Sequence, residues 1–249
     1  MQKALSIVTV IFTLFNVTAQ SDFLANQKRY QRVRAAVSEK QSDVVDQLAK
    51  NEIAIKDLNI LMLIYKSEGE LHLFAKKKTA VSYTKLATYT ICSKSGELGP
   101  KRKQGDYQVP EGFYFIDRFN PASSYHLSLG INYPNPSDRK KSNANNLGGD
   151  IFIHGECVTI GCLPMTNDKI KEIYLYAINA KNNGQHRIPV YIFPFKMTDQ
   201  KLSEYTKKYS NEKKLIDFWA TIKTGYDTFN TTKRELRISY TKDGNYSIK

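Results

Sequence analysis

Two residues in the stretch Ile151 to Met165, IFIHGECVTIGCLPM, have the types and spacing that acyl chemistry uses: His154 and, eight positions later, Cys162. A thiolate attacks where a thiol does not, and a free cysteine with a pKa of ~8.5 is only a few per cent ionised at neutral pH. A neighbouring imidazole supplies the missing base. Gly155 and Gly161 bound the loop between them. Gly161 lets the backbone turn tightly, so that amide N–H groups around Cys162 can face the oxyanion of an attacked carbonyl.

Taken alone, the pair leaves other roles open. Buried cysteines and strand-end histidines also serve as packing residues, and local His/Cys signatures do not transfer between families. His154, Cys157 and Cys162 are zinc-ligand types, and His154-Gly155-Glu156 has the H-x-E form of zinc deaminases. The P-C-x-x-C that completes that signature is absent, which leaves Glu156 a loop residue. No metal or organic cofactor is called for.

Several elements must position these residues. An apolar strand leads into His154, and Thr166 or Asn167 caps a following helix whose Ile170, Ile173, Tyr174 and Ala177 share one face. Cys162 thus lies just ahead of a helix N-terminus, where the dipole favours a thiolate. Upstream, SSYHLSLGINYPN alternates as a strand, with Tyr125, Leu127, Leu129 and Ile131 on one face and His126 on the polar face. The segment NPSDRKKSNANNLGGD reads as a mobile polar loop, a substrate wall or lid. LNILMLIYKSEGELHLFAKK reads as a β-hairpin turning at Ser67–Gly69, with His72 a solvated strand histidine. HRIPVYIFPF is another strand.

The periodicity from Asp22 to Lys56 predicts a helix, and Leu215, Phe218, Trp219 and Ile222 form an apolar helical stripe before a hairpin at Asp243-Gly244. Residues 1–19 carry Lys3, an apolar run from Ala4 to Phe15, and Val17 and Ala19 at the positions a signal peptidase reads. The run is shorter than the ~20 residues that span a bilayer. An exported, periplasmic or envelope-associated mature chain is expected from about Gln20, with no stable membrane span. The formal net charge of +13 falls to +12 without Lys3. Basic residues are scattered and no nucleic-acid motif appears, so the charge is read as a solvated surface with weak steering toward an anionic envelope. Three cysteines leave at least one free. Cys92, in LATYTIC, reads as a core residue, and a Cys157–Cys162 disulfide, which would silence the nucleophile, is not expected.

HGECVTIGCLPM, preceded by GPKRKQGDYQVPEGFYFI, SSYHLSLGINYPN and GGDIFIHG and followed by YIFPFKMT and FWATIKTGYDTF, resembles the YafK-like branch of the YkuD-type L,D-transpeptidases. The resemblance runs from about Leu58 to Phe229. It implies a mainly β fold with α (α+β), a sandwich of mixed sheets, in which a cysteine attacks an amide of the peptidoglycan stem peptide. His154 matches the family's upstream histidine, and Thr159, Gly161 and Cys162 match its serine or threonine, glycine and nucleophile. Ile160 stands where a second histidine would be, and Pro164 where many members carry an arginine.

The implied function is acyl transfer on peptidoglycan stem peptides through a Cys162 acyl-enzyme with His154 as base. The same site used as a hydrolase or amidase, releasing groups or a wall-linked protein, is the alternative, and a non-catalytic wall-binding scaffold is a third reading. Tyr125 and His126, then Lys101 and Asn135, are candidates for stem-peptide contact. The domain expectation is 1–19 signal peptide, 20–56 helical segment, 57–195 catalytic domain and 196–249 helical/hairpin extension packed on it.

Overall fold

The computed structural model describes residues 23–249, so the expected signal peptide lies outside the described residues. Two helices, α1 (Phe23–Lys28) and α2 (Gln31–Ala49), occupy the region where periodicity predicts one. The break falls at Arg29-Tyr30. A helix end leaves carbonyls without intrahelical donors, and the Arg34 guanidinium donates to those of Lys28 and Arg29 at 3.2 and 2.5 Å. After Ala49, Glu52 adopts φ 56 and a short 3-10 turn, Ile55–Asp57, leads to the first strand.

Eight strands form one mixed sheet: β1 (Leu58–Tyr65), β2 (Glu70–Lys77), β3 (Thr84–Thr90), β4 (Gly112–Asn120), β5 (Ser128–Ile131), β6 (Phe152–His154), β7 (Leu163–Pro164) and β8 (Ile188–Phe193). Their order is β3-β2-β1-β8-β4-β5-β6-β7. β1 runs parallel to β8 and β6 parallel to β7, and the other neighbours are antiparallel. The β1–β2 hairpin turns where the sequence places it, with Gly69 at φ 69.

β1 is apolar at nearly every position because both of its faces are covered. Ile60, Met62 and Ile64 enter one core, and Leu61, Leu63 and Tyr65 enter the other. His72 shares this burial and is not solvated. Its ring meets Tyr65 edge-on at 5.0 Å, and its Nε2 lies 2.7 Å from Glu70 Oε2.

The predicted mobile loop contains a helix, α3 (Pro136–Lys141), opened by Asn135 and Asp138 in a reciprocal capping box with proline in the first turn. The first core packs beneath α2 and α4 (Asn167–Asn182), which Thr166 caps. The second lies beneath α5 (Asp199–Lys208), α6 (Lys213–Thr232) and the hairpin of β9 (Ile238–Tyr240) and β10 (Tyr246–Ile248). The mixed-sheet fold implied by the resemblance is therefore present as one continuous sheet layered with helices.

That sheet rolls until its two edges meet. Cys92, just beyond β3, donates its amide N–H to the Pro164 carbonyl of β7 at 3.0 Å. Its sulfur is bonded to Cys157. Cys92 is thus the staple of the seam and not the core residue that its apolar segment suggests.

Candidate active site

β6 ends in His154, and Cys162 leads into its parallel neighbour β7. The register pairs Ile153 with Leu163 and His154 with Pro164, which places Cys162 immediately before β7. The seven residues between His154 and Cys162 therefore lie in the crossover between adjacent strands. Gly161 holds φ 133, and a Cβ there would stand 3.1 Å from the Gln108 carbonyl oxygen, so the turn into Cys162 requires glycine.

His154 is 3% exposed and lies beneath the Tyr125 ring at a centroid distance of 4.8 Å. Its Nδ1 lies 2.5 Å from the Gly155 carbonyl oxygen. A carbonyl only accepts, so Nδ1 carries the proton and Nε2 keeps the lone pair a base needs. Burial holds the imidazole pKa below its ordinary value, against the opposing pull of the Gly155 hydrogen bond and the Glu156 charge.

Cys162 is the free cysteine among the described residues, and its thiol donates to the Asp150 carbonyl at 3.5 Å. Burial pushes its pKa up, and the Asp150 charge adds to this, while a backbone hydrogen bond at Phe152 and the Lys101 charge pull the other way. The expected lowering by a helix N-terminus does not prevail. Burial therefore favours the neutral form of both the thiol and the imidazole.

Thr159 organises the loop. Its Oγ1 accepts from the amides of Gly161 and Cys162 at 3.2 and 2.8 Å and donates to the Cys162 carbonyl at 2.9 Å. The two amides expected to face an oxyanion therefore point at this hydroxyl, because a threonine three residues before the cysteine closes a local turn. Val158 and Ile160 project outward from the same loop, Ile160 at 76% exposure.

The other sequence candidates fall in different places. Tyr125, 45% exposed, sits over His154, in the turn before β5 rather than within a strand. His126 also precedes that strand, at φ 66, with its carbonyl held by Arg32 at 2.7 Å. Its Cβ backs onto Gly155, and its Nε2 is buried without a hydrogen-bond partner among the described residues.

Lys101 is buried in its own loop, donating to Asp106 Oδ1 at 2.5 Å and to the Lys103 carbonyl at 2.9 Å. It reaches the thiol only through its field. Asn135, 1% exposed, donates from Nδ2 to the Phe113 carbonyl at 3.1 Å and to Tyr246 Oη at 2.9 Å, which makes it a cap and cross-brace. Cys157 is held in the disulfide, so its sulfur is not a free ligand. Asn167, read from sequence only as a helix cap, accepts the Glu156 amide at 3.0 Å and closes the space beside Gly155.

Residues 61–192 match the family model YkuD, the L,D-transpeptidase catalytic domain. The chain is 40% identical over 191 residues, covering 76% of this chain and 73% of the relative, to the Escherichia coli K12 protein named "Putative L,D-transpeptidase YafK", and equally to its O157:H7 counterpart. Among solved structures it resembles the helical cell shape determining protein Pgp2 of Campylobacter jejuni (TM-score 0.45, 18% identity, 74% of this chain and 73% of that one). It also resembles Bd1075 of Bdellovibrio bacteriovorus (TM-score 0.39, 18% identity, 73% and 74%), and neither likeness bears on the chemistry. His154 and Cys162 both fall inside the matched span, and on that span and the 40% identity this chain belongs to the YkuD family of L,D-transpeptidase catalytic domains.

Proposed function

We propose that the chain performs cysteine-dependent acyl transfer on peptidoglycan stem peptides, with Cys162 as nucleophile and His154 as base. The observation that supports this reading is the placement of one free thiol at the entry to β7, next in the sheet to β6, which ends in a tautomer-fixed imidazole. His154 Nε2 takes the Cys162 proton as the sulfur bonds to the carbonyl carbon. The C–N bond then breaks, the proton passes to the leaving amine, and a thioester remains on Cys162.

Attack by a second stem's amine gives a cross-link and restores the thiol. Attack by water gives hydrolysis from the same intermediate. Rotation of Thr159 about χ1 frees the Gly161 and Cys162 amides for the oxyanion. Export through residues 1–19 accompanies this function, and a disulfide spanning the site suits an oxidising compartment.

The test incubates the mature protein, Cys162→Ala and His154→Ala with disaccharide-tetrapeptide and with isolated sacculi, and reads products by mass spectrometry. Cross-linked or amine-exchanged products present only with the unaltered protein are expected. Products carrying added water would assign the hydrolase or amidase outcome. Identical products from all three proteins would reject acyl transfer and leave the wall-binding scaffold.

A further inference from the structure

A cavity of about 250 Å³ opens beside Cys162 and Leu163, at the seam where the two sheet edges meet. It is smaller than the ~300–1,000 Å³ of a typical small-molecule site, so it takes the end of a ligand rather than the whole. One wall is the segment after β3, including Lys94 and Ser95, and another is the C-terminal part of α5 with Tyr205, Lys208 and Tyr209. The α5 wall lies outside the matched span 61–192.

The charges on this cavity are not alike. Lys66 is engaged, donating to Glu111 Oε1 at 2.9 Å and to the carbonyls of Glu97, Gly99 and Val109 at 3.1, 2.7 and 2.9 Å. Lys94 and Lys208 are exposed and in no ion pair among the described residues. Lys94 Nζ donates to the Ser67 carbonyl at 2.6 Å, and Lys208 Nζ lies 5.6 Å from the Tyr209 ring centroid. An ammonium has three donors, so both keep capacity for an anion.

Glu97, also on the wall, offsets one of these cations and leaves one unit of positive charge, the match for a single carboxylate. Ser95 Oγ has no hydrogen-bond partner among the described residues. The aromatic wall is fixed: Tyr205 stacks on Phe195 at 4.1 Å and meets Ser67 Oγ at 3.0 Å, and Tyr209 packs edge-on against Trp219 at 5.3 Å.

We infer that this cavity binds the carboxylate end of the peptide presented to Cys162, with Lys94 and Lys208 as the specificity-determining cations. The inference rests on the acyl-transfer reading for what the neighbouring thiol does, but its test reads binding alone. Isothermal titration calorimetry of Cys162→Ala protein uses a synthetic tetrapeptide stem ending in a free carboxylate, and the same peptide as its C-terminal amide.

The acid is expected to bind about tenfold more tightly than the amide, the effect of one charge-assisted hydrogen bond. Adding salt shrinks the ratio. Lys208→Ala and Lys94→Ala each reduce it, the double variant brings it close to one, and Lys208→Arg retains it. Equal affinities for acid and amide, an unchanged ratio in the double variant, or no binding of either peptide overturns the inference. A preserved preference without product formation by the unaltered protein would reject acyl transfer alone. Turnover with no preference would reject the carboxylate site alone.

Discussion

His154 sets the pH at which the proposed chemistry runs. Its pKa lies below 6.5 because burial disfavours the imidazolium, and the base works only while deprotonated. Lowering that pKa extends activity toward acid. The acid limb of kcat/KM is therefore expected below pH 6.5, and a limb centred above it would contradict a base whose pKa burial lowers. Cys162, whose pKa burial pushes up, should alkylate in the absence of substrate at a rate that climbs only on the alkaline side, with no acid-side shoulder. Gly155 bears on the same residue. A Cβ there would stand 2.5 Å from Asn167 Oδ1, 2.9 Å from His126 Cβ and 3.0 Å from the Tyr125 carbonyl oxygen. Gly155→Ala should cost about 1–3 kcal/mol of stability and displace the adjoining His154, lowering both Tm and kcat. Unchanged values of both would show that the wall behind the base yields freely.

The crossover between β6 and β7 is held by the seam that Cys92 and Cys157 close. The bridge spans a sequence separation of 65 residues. Chain-entropy arguments assign a closure of that length about 4 kcal/mol. The Cys92→Ser/Cys157→Ser double variant should lose stability on that order in urea titrations, and a shift near zero would mean the Cys92–Pro164 backbone bond holds the edges unaided. Much of this layer is legible in the sequence. β1 and β2 announce themselves as apolar runs around Gly69, and Ile170, Ile173, Tyr174 and Ala177 mark α4. The break at Arg29-Tyr30 is not legible, because it depends on the reach of Arg34. The helix α3 was signalled by Asn135, Pro136 and Asp138 as cap, first turn and reciprocal partner, a local pattern outweighed by the polar composition around it. The disulfide is illegible for a different reason: three cysteines allow several pairings, and only the rolling of the sheet brings residue 92 to residue 157. His154 and Cys162 could be picked out by type and spacing, whereas the burial that raises the thiol pKa belongs to the assembled sheet.

At the scale of the molecule, two cores on opposite faces of one sheet make residues 196–249 part of the same body as the strands that carry His154 and lead from Cys162. Glu111 ties them together. It is 0% exposed and accepts from Lys66 Nζ at 2.9 Å, the Gly99 amide at 2.7 Å and Trp219 Nε1 of α6 at 2.9 Å. Glu111→Ala would strand a buried ammonium and an indole N–H, and a loss of about 3–5 kcal/mol is expected in chemical denaturation. A loss under 1 kcal/mol would mean that the extension docks through its apolar stripe alone. Trp219 is also the chain's one tryptophan. Its indole is hydrogen-bonded to Glu111, and its neighbours Tyr205 and Tyr209 line the cavity beside Cys162. The protein therefore carries a single indole fluorophore, selectively excited at the red edge of the aromatic absorption, one side chain removed from that cavity. Its emission reports both the seating of α6 and the occupancy of the space beside Cys162, without any label.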